Sequence, residues 1–185
     1  MTTKPAHQYL ALLRGINVGG KALIKMADLK AALEHKGFED VRTYIQSGNV
    51  LFTSNKHDKE TLAVIIHDAL KDHFNLDIDV VVLSAKEWNE IIESAPSWWG
   101  HDNTRKHNLV IMIPPYDMNQ TMAAIGELKP DIESAEAGNG VVYQSISLEF
   151  FGRTTSGKLA ANPIYKHMTI RNYNTAQKLN TLLTK

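Results

Sequence analysis

A glycine-rich loop close to the N-terminus is the first segment whose residue types could do chemistry. It reads Gly15-Ile16-Asn17-Val18-Gly19-Gly20-Lys21, which matches the G-x-x-x-x-G-K spacing of a phosphate loop. Glycines let consecutive backbone N–H groups converge on an anion, and a lysine adds a point charge. Ala22 stands where a nucleotide triphosphatase has the hydroxyl group that meets Mg²⁺. The loop therefore predicts either a general anion site or a glycine-rich turn without a ligand.

Two further polar loops carry residues suited to an anion. The segment Gln46-Ser47-Gly48-Asn49 has turn-forming residues, and the segment 169–175 holds Arg171, a planar group with five donors. Arg171 could instead tie the C-terminal helix to a sheet. If the three loops meet, we expect a pocket for a small anionic or nucleotide-like ligand. The candidate ligand-binding residues are Arg14, Asn17, Gly19, Gly20, Lys21, Gln46, Ser47, Asn49, Arg171 and Asn172.

The remaining reactive residue types predict neither a metal site nor a covalent nucleophile. His67 and His73 are six residues apart, as are His101 and His107, and neither pair has the spacing of a helical or tight-loop metal site. The absence of cysteine excludes disulfides, thiolate metal sites and cysteine nucleophiles. The sequence also lacks a G-x-S-x-G elbow. We therefore expect no metal and no cofactor, and we assign no catalytic residue.

The Trp98-Trp99-Gly100 segment, followed by Arg105 and Lys106, has two interpretations. It could be a stacking platform for single-stranded nucleic acid, or it could plug the seam between two subdomains. Twenty Lys and Arg residues against twenty Asp and Glu residues give no global field that attracts nucleic acid. We therefore favour the plug, and nucleic acid is not the expected partner.

Composition is typical of a globular protein, with 43% hydrophobic and 22% charged residues in a chain of 185. The first seven residues are polar, and no apolar run approaches the roughly 18 to 20 residues of a membrane span. We expect a cytoplasmic protein without membrane contact. Its oligomeric state is not predicted.

Hydrophobic periodicity predicts the elements that must hold these loops. Through residue 83 the order is a strand at 9–13, a helix from about residue 26, strands at 41–45 and 50–52, a helix around 62–70 and a strand at 78–83. This βαββαβ order predicts a ferredoxin-like unit, in which two helices cover one face of an antiparallel sheet.

A weaker copy of this order follows. Ser84 and Glu87 form a capping-box signature that starts a connecting helix. A strand at 109–113, a helix at 119–128, a hairpin at 138–140, a helical turn at 158–161, an extended segment at 167–171 and a helix at 175–183 come next. The expected fold class is α+β, with two ferredoxin-like subdomains whose second copy is irregular. The predicted limits are 1–83, a linker at 84–107, and 108–185.

Four segments in this order resemble the DUF1697 family: 12–20, 25–29, 43–50 and 168–175. The resemblance implies a two-subdomain α+β fold of no established function, and it identifies no catalytic residue. Tyr173 departs from the tryptophan expected there in many members. A small-molecule binding protein is the preferred class. An enzyme acting on such a ligand, and a nucleic-acid-binding or protein-interaction module, stay open as alternatives.

Overall fold

The computed structural model describes residues 7–56, 58–114, 117–155, 159 and 161–184. The chain forms two packing units. The first unit comprises the residues up to Asn89 and those from Leu179 onward, and the second comprises Glu90–Lys178. Within the described ranges, no helix is long and apolar enough to cross a membrane.

The first unit contains a four-stranded antiparallel sheet with two helices between its strands. Its elements are β1 His7–Leu13, α1 Met26–His35, β2 Glu39–Tyr44, β3 Asn49–Ser54, α2 Lys59–Phe74 and β4 Val80–Ser84. The strand order β2-β3-β1-β4 is that of a ferredoxin-like unit. The apolar run of β1 is continuous because this central strand is buried on both faces: Leu12 and Leu13, which point to opposite faces, are both fully buried.

Side-chain caps set where the helices begin. The carboxylate of Asp58 accepts hydrogen bonds from the amides of Glu60 and Thr61 and so starts α2. Helix α3, Ala85–Glu93, begins with the predicted capping box, which the structure confirms. Ser84 Oγ accepts from Glu87 N at 3.2 Å, and Glu87 Oε2 accepts from Ser84 N at 2.9 Å.

The second unit repeats the strand order of the first. Its elements are β5 Arg105–Met112, α4 Met118–Ile125, β6 Glu133–Ala137, β7 Val141–Ser147, β8 Met168–Asn172 and α5 Tyr173–Leu183. The sheet order β6-β7-β5-β8 is again antiparallel. Between β7 and β8 the described residues form short 3₁₀ turns at Phe151–Arg153 and Pro163–His167. The α+β class with an irregular second copy is therefore confirmed.

The last residues of α5 belong to the first unit, although the helix begins in the second. From Leu179 onward α5 belongs to the first unit, where Arg42 Nη2 donates to Leu182 O at 3.3 Å and Asn180 Nδ2 to Asn89 Oδ1 at 3.3 Å. The predicted limits at 83 and 107 stay a prediction. Of the helical turn expected at 158–161, residues 158 and 160 lie outside the described residues.

Candidate functional site

The glycine loop and the β2–β3 hairpin meet at one end of the first sheet. Because β1 runs antiparallel to β3, the end of β1 pairs with the start of β3, with Leu12 opposite Asn49. Leu13 N donates to Gly48 O at 2.8 Å, and Arg14 N donates to Asp79 O at 3.1 Å. Two of the three predicted polar loops are therefore neighbours.

The glycine loop is a tight hairpin turn. Gly19 and Gly20 both have positive φ, at 60° and 73°, and Lys21 N donates to Val18 O at 3.2 Å. Positive φ at both central residues is what a type I′ turn requires. Asn17 N also donates to Ala22 O, and α1 begins only at Met26. Two loop amides are thus already hydrogen-bonded, and no helix N-terminus abuts the loop.

Asparagine side chains hold these loops together. Asn17 Nδ2 donates to Ile24 O at 3.0 Å and to Gln46 O at 2.9 Å, and Asn17 Oδ1 accepts from Ile24 N at 2.8 Å. Buried Asn49 donates from Nδ2 to Tyr44 O and to Ser47 Oγ. These amides are occupied in loop structure, and their role as ligand contacts stays a prediction.

The other predicted contacts differ in exposure. Gly19, Gly20, Lys21 and Gln46 are exposed, and Arg14 is half-buried. These residues remain candidates for contact with an anion.

Arg171 lies in the second unit, on β8, and is 5% exposed. Its Nη1 donates to Thr169 Oγ1 at 2.7 Å and to Ile170 O at 2.9 Å. Burial lowers the pKa of the guanidinium to about 10. Both of these bonds lie within β8, so the ligand role of Arg171, its alternative role in tying the C-terminal helix to the sheet, and the convergence of its loop with the glycine loop all stay predictions.

A cavity of about 390 Å³ lies within the second unit and contains the predicted residue Asn172. Its size falls in the range typical of small-molecule sites. The turn before β5, the start of β5 and the β8–α5 junction form its wall. The lining residues are Gly100, Asp102, Asn103, Arg105, Lys106, His107, Leu148, Asn172, Tyr173 and Asn174.

Strand pairing and an aromatic cluster bring these segments together. Asn108 pairs with Asn172, so the start of β5 adjoins the end of β8. Trp99, 2% exposed, donates from Nε1 to Asn108 O at 3.0 Å, and its ring centroid lies 4.9 Å from that of Tyr173. Because Trp99 is buried, it offers no open stacking face for a nucleic-acid base.

Basic groups outnumber acidic groups in the cavity lining, with Arg105 and Lys106 against Asp102. The side chain and amide of Thr104 donate to the Asp102 carboxylate and lower its pKa. Arg105 Nε donates to Ser145 Oγ at 2.7 Å, so its guanidinium is held by the sheet. The lining therefore carries net positive charge.

Two features of the lining offer hydrogen-bonding capacity to a ligand: the N-terminus of α5 and the ring of His107. At the first turn of α5, Asn172 Oδ1 accepts from Thr175 N at 2.8 Å, which caps one of the orphan helix amides. His107 is 8% exposed, with Nε2 at 3.0 Å from Asp102 O. Its Nδ1 is buried without a hydrogen-bond partner within the described part of the chain. Unsatisfied buried nitrogens are rare and commonly mark a functional or hydrated position.

Sequence reasoning missed most of this cavity. It singled out both the tryptophan segment and the loop 169–175, but nothing in the sequence joins them. The pairing of β5 with β8 is the link, and it spans about sixty residues. The one sequence signal that the two segments share is that both are rich in polar and aromatic residues.

A family model for a protein of unknown function, DUF1697, matches residues 6–143. The chain belongs to the DUF1697 family. The solved structure of a conserved bacterial protein, SP0830 from Streptococcus pneumoniae, is 31% identical with a TM-score of 0.87, and the alignment covers 98% of this chain and 100% of that one. No curated protein matches the chain. The family match ends before β8, so the Asn172–Asn174 side of the cavity lies beyond it.

Proposed function

We propose that this chain binds a small anionic ligand in the cavity of the second unit. The observation that carries the proposal is the meeting of the N-terminus of α5 with the basic residues Arg105 and Lys106 in one cavity of about 390 Å³. A helix N-terminus presents free amides and about half a positive charge to an anion.

The proposed contacts are of two kinds. The amides of Tyr173 and Asn174 at the first turn of α5, with the side-chain amide of Asn103, are the direct donors. Arg105 and Lys106 act mainly through their charge, because the Arg105 guanidinium is bonded to Ser145 and the Lys106 ammonium lies 5.5 Å from the centre of the Phe151 ring.

The glycine loop is the competing location, with Lys21 as its exposed cation. The hydrogen bonds within the hairpin turn weigh against it. An enzyme that acts on the same anion is the alternative function, and a nucleic-acid-binding or interaction module is another. Turnover of a bound ligand would identify the enzyme, and salt-sensitive binding of a short single-stranded RNA would favour the module.

Substitution of Asn174 by aspartate tests the site. Asp at the second position of α5 interacts favourably with the helix dipole, so the fold is retained, while its charge repels an anion at the same amides. Titration calorimetry with inorganic phosphate, ribose 5-phosphate and citrate should give about tenfold weaker binding of the bound probe to N174D. The matched control is Asn119→Asp, at the second position of α4 in the same unit, and its affinity should equal that of the parent chain.

Three results separate the locations. Weaker binding in N174D alone supports the cavity. Weaker binding by Lys21→Ala, with the affinity of N174D equal to that of the parent chain, would place the anion site at the glycine loop instead. Absence of binding for every probe at millimolar concentration overturns the proposal.

A further inference from the structure

Tyr173 is a cavity residue whose ring packs against an aromatic neighbour and a glycine. It is the first residue of α5, and its ring packs edge-on against Trp99 at 4.9 Å and 78°. The ring of His107 lies 6.5 Å away at 64°. The ring of Tyr173 therefore packs against Trp99 and lies near His107.

Gly100 fixes the hydroxyl end of this ring. A Cβ built on Gly100 would lie 2.1 Å from Tyr173 Cε2 and 2.4 Å from Cζ, the carbon that carries the hydroxyl group. Only a residue without a side chain allows the backbone to come this close. The close approach of Gly100 therefore limits where the phenol can lie.

The Tyr173 hydroxyl has no hydrogen-bond partner among the residues that the structure describes, and Tyr173 is half-buried. The buried tyrosines behave differently: Tyr143 donates to Ile91 O at 2.5 Å, and Tyr9 donates to Lys56 O at 3.0 Å. Among the described residues, the buried side-chain atoms without a partner include His107 Nδ1 but not the Tyr173 hydroxyl, so this hydroxyl is open to solvent and accessible to a ligand. A phenol that is free to bond, in a cavity wall that also holds the unsatisfied Nδ1 of His107, is suited to a ligand.

We propose that the Tyr173 hydroxyl selects ligands that carry a second hydrogen-bonding group beside their anionic group. This inference rests on the proposed function. The hydroxyl is separated from the α5 amides by the length of the tyrosine side chain, so a bare phosphate at the helix N-terminus does not reach both. A sugar phosphate or nucleoside monophosphate does, with its phosphate at α5 and a sugar oxygen at Tyr173.

The affinities of Tyr173→Phe for two probes, ribose 5-phosphate and inorganic phosphate, test this selectivity. The phenylalanine ring retains the contacts with Trp99 and Gly100, so the melting temperature should stay within about 2 °C of the parent value, the shift of a substitution worth a few tenths of a kcal/mol. Titration calorimetry should give about tenfold weaker binding of ribose 5-phosphate and unchanged binding of inorganic phosphate, because one hydrogen bond to the larger ligand is lost. Tyr44→Phe, which removes the hydroxyl of a half-buried tyrosine in the first unit, is the matched control and should change neither affinity.

The outcomes separate the two proposals. If Y173F binds both probes as the parent chain does, the selectivity is refuted while anion binding at the cavity stands. If Y173F loses both probes equally, the hydroxyl acts on the anionic group itself and the inferred class of ligand is wrong. If neither probe binds the parent chain, the proposed function fails, and the inference fails with it.

Discussion

Replacement of Gly100 by alanine tests the packing that holds Tyr173 at the cavity. The new Cβ would lie 2.1, 2.4 and 2.5 Å from three ring atoms of Tyr173, all well inside van der Waals contact. Trp99, whose ring centroid lies 4.9 Å from that of Tyr173, limits how far the ring can move away. Gly100 also has a φ of +90°, which residues with a side chain rarely adopt.

The expected cost has two parts. A residue with a Cβ in left-handed backbone loses about 1–2 kcal/mol, and insertion of a methyl group into a packed site costs about 1–3 kcal/mol. We expect G100A to lower the free energy of unfolding by about 2–5 kcal/mol. Gly19→Ala measures the backbone part alone, because Gly19 has a φ of +60° and no atom within 4 Å of a built Cβ.

Urea unfolding followed by tryptophan fluorescence measures these differences, and Gly152→Ala is the neutral control. Gly152 has neither a positive φ nor a close neighbour, so its substitution should stay within about 0.5 kcal/mol of the parent chain. In a Tyr173→Ala background, G100A should cost no more than G19A, because the ring has been removed. A G100A cost equal to that of G19A in the parent chain would refute the steric reasoning.

Two further perturbations test interactions of the first unit. In Asn17→Gly, glycine can still adopt the φ of +54°, but the three hydrogen bonds of the asparagine side chain are lost. Urea unfolding should therefore show a free energy of unfolding lower by about 2–4 kcal/mol. A decrease below about 1 kcal/mol would contradict the proposed role of this side chain. The hydrogen bond to Asp77 raises the pKa of His67 above 6.5, so its contribution is complete below pH 6.5 and disappears as the pH rises through the folded value. Asp77→Asn should therefore lower the melting temperature more at pH 5.5 than at pH 8.5, and an equal effect at both would exclude this linkage.

The order of elements was predictable because each strand and helix carries its own hydrophobic period. The run 9–13 lies within β1, and the capping box of Ser84 and Glu87 starts α3 as expected. The Asn139-Gly140 signal marks the turn between β6 and β7. Such local signals fix element type and, through the βαββαβ order, the sheet topology.

The candidate site was much less predictable because its residues meet through long-range pairing. The G-x-x-x-x-G-K spacing is compatible with both a phosphate loop and a type I′ hairpin turn, and it takes the backbone angles and hydrogen bonds of the folded loop, such as that from Lys21 N to Val18 O, to distinguish them. The residues around Arg171 in the sequence likewise do not predict that its side chain is buried. Asn172 is the one predicted contact that lines the cavity, and its neighbours on β5 are about sixty residues away.

The return of residues from Leu179 onward to the first unit affects how the chain is made. All four strands of that unit have been synthesised by Ser84, yet the backbone oxygen of Leu182 that Arg42 contacts emerges from the ribosome about a hundred residues later. At typical rates of translation the nascent first unit waits several seconds for these last partners. During that interval the surface that residues from Leu179 onward will cover is open to solvent and to whatever binds nascent chains.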